Sequence, residues 1–191
     1  MRPMAVDPDT RALVAARLGR EPRGLRAVAV RDGCGAPRVI RVASMVDGRP
    51  FPTLFWLVDP VLSLHIDREE AGGLIARLQA RVDGDAGLRA AMARDHERHI
   101  ALRARYLEAG ERRRLEAQGL WPALAERGIG GIANFDRIRC LHTWYAAHLV
   151  SVNTIGALLD SHWGRASPQR RGEPGAGPAR RVRHSQGERR E

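Results

Sequence analysis

The sequence predicts an α+β domain: an N-terminal helix, a small antiparallel three-stranded sheet, and a helical C-terminal portion packed on one sheet face. Two observations predict this class. Runs rich in β-branched and aromatic residues, bounded by turn formers, occur before Pro60. Beyond Pro60 the apolar residues recur at steps of three and four, the spacing of helices with one buried face, and continue so to Gly156. Strands gathered early and helices gathered late are the pattern of α+β architecture.

Asp7-Pro8-Asp9-Thr10 supplies capping residues and a proline suited to a first turn. Leu13, Val14 and Leu18 follow on one stripe, and Gly19 is a stop, so a short amphipathic helix is expected. Three strands are then expected at Leu25 to Arg31, Arg38 to Ala43 and Thr53 to Val58. The first two are joined by the turn-rich segment from Asp32 to Pro37, the last two by a connection containing Asp47-Gly48-Arg49-Pro50. A meander is the simplest arrangement of three such strands.

Pro60 to Ile66 reads as a short helix. Asp67-Arg68-Glu69-Glu70 has the form of a capping box that opens a second helix to about Val82, with Gly72 and Gly73 inside it. Asp83-Gly84-Asp85 breaks the chain, and a long charged helix is expected from about Ala86 to Ala117, with Gly110 as a candidate interruption. Gly119 to Asn134 reads as irregular. The central stretch is Phe135 to Gly156. There Ile138, Leu141, Tyr145, Leu149 and Val152 follow Asp136 at helical spacing, and Asn153-Thr154-Ile155-Gly156 reads as a stop. A largely buried helix from about Asp136 to Val152 is predicted. On it Cys140 and His142 stand about 200° apart, and two residues so placed cannot grip one metal ion.

At 191 residues the chain suits one domain, expected over 1–163. It holds no apolar run of membrane-spanning length, because TLFWLVDPVLSL is cut by Asp59 and Pro60. The start, MRPMAVDPDT, lacks the features of a signal peptide, and a cytoplasmic location is expected. Cys34 and Cys140 are read as unpaired. The net charge of +10 points toward polyanions, yet every basic residue is arginine, as expected of GC-rich coding. From Gly164 to the end, eight arginines against three acidic residues supply about half of that charge, and nothing apolar is periodic. The reading is a disordered basic tail, either a solvated extension or an arm for nucleic acid.

Three groups of residues carry chemistry. His96, His99 and Arg103 step by three and four and form a row, either an anion site or packing residues. Arg68 with Glu70 stands at the predicted start of a helix, where free amides favour anions; the plainer reading is a capping box beside a surface arginine. A zinc site would need several of the cysteines and histidines to converge, and no pair shows Cys-x-x-Cys or His-x-x-x-His spacing, so no metal is expected. Cys140 is either a nucleophile activated by a neighbouring base or inert core.

Several segments together resemble an uncharacterised bacterial family catalogued as domain of unknown function five hundred and one. They are the segment Gly19 to Gly24, Pro50-Phe51-Pro52-Thr53-Leu54-Phe55-Trp56-Leu57, Arg68 with Glu70 and Gly73, His96-Glu97 with Arg103, Arg139-Cys140-Leu141-His142, and Asn153 with Gly156. The resemblance brings no activity or cofactor. It implies a cytoplasmic protein, often encoded near cell-division genes, and it implies that Arg68, Glu70, His96, Arg103, Arg139, His142 and Asn153 form one site. Three positions depart from the family pattern: Asp32 stands in place of a cysteine, His148 follows Ala147 where a histidine is usual, and Thr154 replaces a proline.

The expected function is binding of an anionic or phosphorylated small molecule by Arg68, His96, Arg103, Arg139, His142 and Asn153. Glu70 or His142 is the first choice as a general acid or base. The alternative is a non-enzymatic interaction protein of the division or envelope machinery, with a protein partner. Nucleic acid would be bound only through the tail, and no membrane insertion is expected.

Overall fold

Capping and turn chemistry place most elements near their expected positions in the computed structural model, which describes residues 6–164. The expected disorder of the basic tail and its use as a nucleic-acid arm fall, beyond Gly164, outside the described residues. Helix α1 (Pro8–Leu18) starts where the Asp7 side chain accepts the Thr10 N–H at 2.8 Å, and it ends at Gly19 in the left-handed conformation. Strands β1 (Leu25–Arg31) and β2 (Pro37–Val42) form a hairpin. Its turn is held by Asp32, whose carboxylate accepts the N–H groups of Cys34 and Ala36.

A two-residue pair, β3 (Met45–Val46) and β4 (Arg49–Pro50), follows around Asp47 and Gly48. Both have positive φ, 50° and 73°, the backbone of a two-residue hairpin turn whose twist matches its strands. Strand β5 (Phe55–Leu57) then pairs antiparallel with β2, giving a three-stranded sheet in the order β1-β2-β5. The central strand is buried on both faces. Ile40 and Val42 pack with Val14 of α1, Leu25 and Val58, while Val39 belongs to the large core shared with the later helices. Helices therefore cover both faces of the sheet, α1 on one and the C-terminal portion on the other.

Several helix boundaries differ from expectation. Helix α2 runs over Pro60–Ala71 and α3 over Leu74–Gly84, with the break at Gly72 and Gly73. Asp59 is the cap, accepting from the N–H groups of Val61 and Leu62, and Asp67 to Glu70 lie within α2. Asp-x-x-Glu spacing is also that of neighbours on one helix face, and the left-handed Gly73, φ 78°, decides between the two. Arg68 and Glu70 consequently sit in the last turns of a helix, where free amide groups are absent.

Helix α4 (Ala86–Tyr106) opens on the Asp85 cap. The expected interruption falls at Leu107 and Glu108 instead of Gly110, and α5 (Ala109–Ala117) follows. A short α6 (Pro122–Ala125) and a 3-10 turn at Ile129–Gly131 occupy the segment read as irregular.

The central helix α7 covers Leu141–Val150 and begins later than predicted. Gln79 of α3 holds the preceding segment out of the helix, donating to the Asp136 carbonyl and accepting the Ile138 N–H, at 2.8 and 2.9 Å. Asn153 caps a further helix, α8 (Thr154–His162), where a stop was expected. As predicted, α7 is largely buried: Leu141, Trp144, Tyr145, Ala146, Ala147 and His148 are all inside.

Candidate functional site

The expected row on α4 exists, and burial gives two of its members, Arg103 and His96, a packing role. Arg103 is 1% exposed and donates to the carbonyls of Leu124, Arg127 and Gly128 at 2.6, 2.6 and 3.1 Å. Three carbonyl dipoles replace the water around the guanidinium, and the arginine in turn fixes the loop that carries them. Burial lowers its pKa to about 10, which leaves it charged at neutral pH.

His96 accepts the Ile129 N–H on Nδ1 at 2.9 Å and stacks against Phe135 at 4.5 Å between ring centres. Burial holds its pKa down to about 4, against smaller upward pulls from the Phe135 backbone and the Asp136 carboxylate. Gly128 is required beneath this ring, because a methyl group there would lie 2.1 Å from Nδ1.

Of the remaining predicted ligand-binding residues, only Asn153 comes near that row, lining one cleft with His99. Arg68 on α2 and Arg139, in the non-helical segment before α7, are exposed. Asn153 spends both ends of its amide on structure, accepting the Gly156 N–H at 2.8 Å and donating to the Trp144 carbonyl at 2.9 Å. His148, one position from where the family resemblance expects a histidine, accepts the Asn153 N–H on Nδ1. Its Nε2–H therefore donates to Asp160 at 2.9 Å, and the other Asp160 oxygen accepts the Tyr145 hydroxyl at 2.8 Å. Asp160 had no signal in the sequence beyond its place on an apolar stripe.

Glu70 and His142, the pair expected to do acid–base chemistry, do meet. His142 Nδ1 lies 3.5 Å from Glu70 Oε1 and 3.8 Å from Cys140 Sγ. The helical-wheel argument that separates Cys140 from His142 fails because Cys140, with φ −152° and ψ 121°, is extended and stands just ahead of α7. On its other side the His142 Nε2–H faces the Ser63 carbonyl and Asp67 Oδ1, each at 3.3 Å. Glu70 is held by the Leu141 N–H at 2.6 Å. The Cys140 thiol first, then the Glu70 and Asp67 carboxylates, push the His142 pKa up to about 9 against the opposing effect of burial.

A cleft of about 350 Å³ opens elsewhere, between the far part of α4, β5 and the α7–α8 junction. Phe55, Leu102 and Val152 contribute apolar walls, and Arg98, His99 and Arg105 contribute polar groups. Asp95, buried at the same place, accepts from Arg98 and from the Thr154 N–H. His99 is 6% exposed, packs edge-on against Phe55 at 5.8 Å, and its Nε2 has no hydrogen-bond partner among the described residues. Burial, Arg103 and His96 together depress its pKa to about 3. The density of charged groups in Asp95-His96-Glu97-Arg98-His99 was the available signal for this cleft, but which of them face it depends on packing.

A family model described as "Protein of unknown function (DUF501)" matches residues 28–161, a span that includes both the Glu70, Cys140 and His142 cluster and the cleft. No curated protein and no solved structure matches.

Proposed function

The chain belongs to this DUF501 family of proteins of unknown function, and since membership brings no activity, we propose from the cleft that the protein binds a small anionic ligand there. One observation carries the reading: a buried, neutral imidazole, His99, lines a concave site and leaves Nε2 without a partner among the described residues. An unsatisfied buried polar atom costs about 1–3 kcal/mol, which a bound ligand would offset. Arg98 and Arg105 are the anion-recognising groups, and the apolar walls take the uncharged part of the ligand. An organic phosphate or carboxylate with an apolar portion fits this lining.

In this reading the anion pocket lies along α4 from the expected Arg103, at Arg98 and Arg105, with His99 in place of His96 and with Asn153 of the expected set in its lining. Thermal unfolding of the full chain with inorganic phosphate, sugar phosphates, nucleotides and aryl phosphates tests it. A binding anion raises Tm with concentration, and Arg105→Ala, an exposed position, weakens that response about tenfold. A flat panel, or a response that survives Arg98→Ala combined with Arg105→Ala, refutes the cleft as the site. The double substitution also separates the cleft from unspecific binding by other arginines.

The alternative, an interaction protein of the division or envelope machinery, draws on Val61 and Leu64, exposed three apart on α2. Among the described residues no helix is long and apolar enough to cross a membrane.

A further inference from the structure

We infer that Glu70, Cys140 and His142 form a binding site for a divalent metal ion of the zinc class, with one coordination position left for solvent or substrate. Their ligand atoms all lie within 4.8 Å of one another. A tetrahedral zinc ion with Zn–N and Zn–O bonds of about 2.0 Å and a Zn–S bond of about 2.3 Å separates these ligand atoms by about 3.3–3.6 Å. The sulfur-to-nitrogen and nitrogen-to-oxygen separations here are 3.8 and 3.5 Å. Two edges of the coordination tetrahedron are thus already close to their final length, and the side chains need move only slightly to complete it.

The donor set selects the metal. Thiolate and imidazole ligands suit zinc and its borderline neighbours, whereas magnesium and calcium take oxygen. The surroundings are those of a metal-ligating histidine. Its Nε2–H is engaged by the Ser63 carbonyl and Asp67, which turns Nδ1 toward Cys140 and Glu70. Glu70 is oriented by the Leu141 N–H, so the carboxylate comes from α2 and its partners from the start of α7. All three residues are partly exposed, which gives an ion access and leaves its fourth position open. Three protein ligands with an open position is the arrangement of zinc sites that activate a bound water. A second cluster of titratable groups, Tyr145, His148 and Asp160, is buried and its hydrogen bonds close on one another, so it offers no such opening.

Cobalt substitution tests the site in the full chain. After removal of metal by a chelator, titration with Co²⁺ is expected to produce a thiolate-to-metal charge-transfer band and the intense visible bands of a tetrahedral ion, both reversed by Zn²⁺. Cys140→Ser abolishes the charge-transfer band, and Glu70→Gln, which retains an acceptor for the Leu141 N–H, weakens Co²⁺ binding at least tenfold. Cys34→Ser leaves the spectrum unchanged, because Cys34 is exposed in the β1–β2 turn, apart from the cluster. Circular dichroism establishes that each variant is folded. The inference is overturned if the folded wild-type chain shows no sulfur-to-cobalt band, if the band survives Cys140→Ser, or if it disappears with Cys34→Ser. These readouts are independent of anion binding in the cleft, so either assignment can fail alone.

Discussion

Gly156 shows how one residue position can be decided by a side chain of the preceding helix. A methyl group there would lie 2.1 Å from His148 Cγ, although the backbone of a helix accepts any residue at that point. The imidazole is fixed from both sides, by Asp160 and by the Asn153 N–H, and cannot swing away without breaking one of the two bonds to a buried carboxylate and freeing a buried N–H. Gly156→Ala is therefore expected to destabilise the fold by about 3 kcal/mol, the upper part of the overpacking range. Urea unfolding measures it, and a loss below about 1 kcal/mol would mean that His148 has room to move. The sequence marked Gly156 as a helix stop. The same residue actually lies in the first turn of α8, because close approach of a ring and termination of a helix both call for glycine, and the chain alone does not distinguish them.

At the scale of elements, the start of α7 decides whether a site exists. Apolar periodicity continues smoothly from Ile138 into the helix, so local pattern places the helix start before Cys140. Two hydrogen bonds with Gln79 override that preference and keep the segment non-helical, which leaves Cys140 beside Glu70 and His142. Gln79→Ala should cost about 1 kcal/mol of stability, the net worth of such bonds. Its sharper effect is on His142, whose pKa, held near 9 chiefly by the Cys140 thiol, should fall toward its ordinary value as Cys140 is released. NMR titration of the His142 ring reads this directly, and an unshifted titration would show that Cys140 is held by something other than Gln79. The α2–α3 break tells the same story from the opposite side: a local signal, the Gly72-Gly73 pair, was present in the sequence, and a competing capping pattern at Asp67 obscured the left-handed turn that Gly73 makes.

Across the whole molecule, buried histidines set how stability responds to acid. His96 and His99 stay neutral in the folded protein down to about pH 4 and 3, whereas in the unfolded chain both take up a proton near pH 6.5. Their folded pKa values are depressed, so each favours the unfolded state by about 1.4 kcal/mol per pH unit as pH falls below about 6.5. His142 acts in the other direction. Its raised pKa contributes stability that is complete below about pH 6.5 and lost as pH rises through about 9. Stability is thus expected to fall steeply from pH 6.5 to 4.5 and to decline more gently above neutrality. Urea midpoints at half-unit steps test this, and a flat profile between pH 7 and 5 would show that the two histidines are protonated in the fold.

What the sequence determined by itself is the order of elements and their class. Asp7 and Gly19 bound α1, the turn from Asp32 to Pro37 joins β1 to β2, and the spacing of His96, His99 and Arg103 places them on one helix face. These are consequences of periodicity, capping and turn geometry, all read within a few residues of chain. The tertiary structure decided what those side chains do. It turned Arg103 onto three carbonyls of a later loop, left His99 facing a cleft, and brought Glu70 of α2 to Cys140 and His142 at α7, some seventy positions on. Convergence of that kind rests on hydrogen bonds and packing between distant segments, and such contacts leave no local period in the sequence.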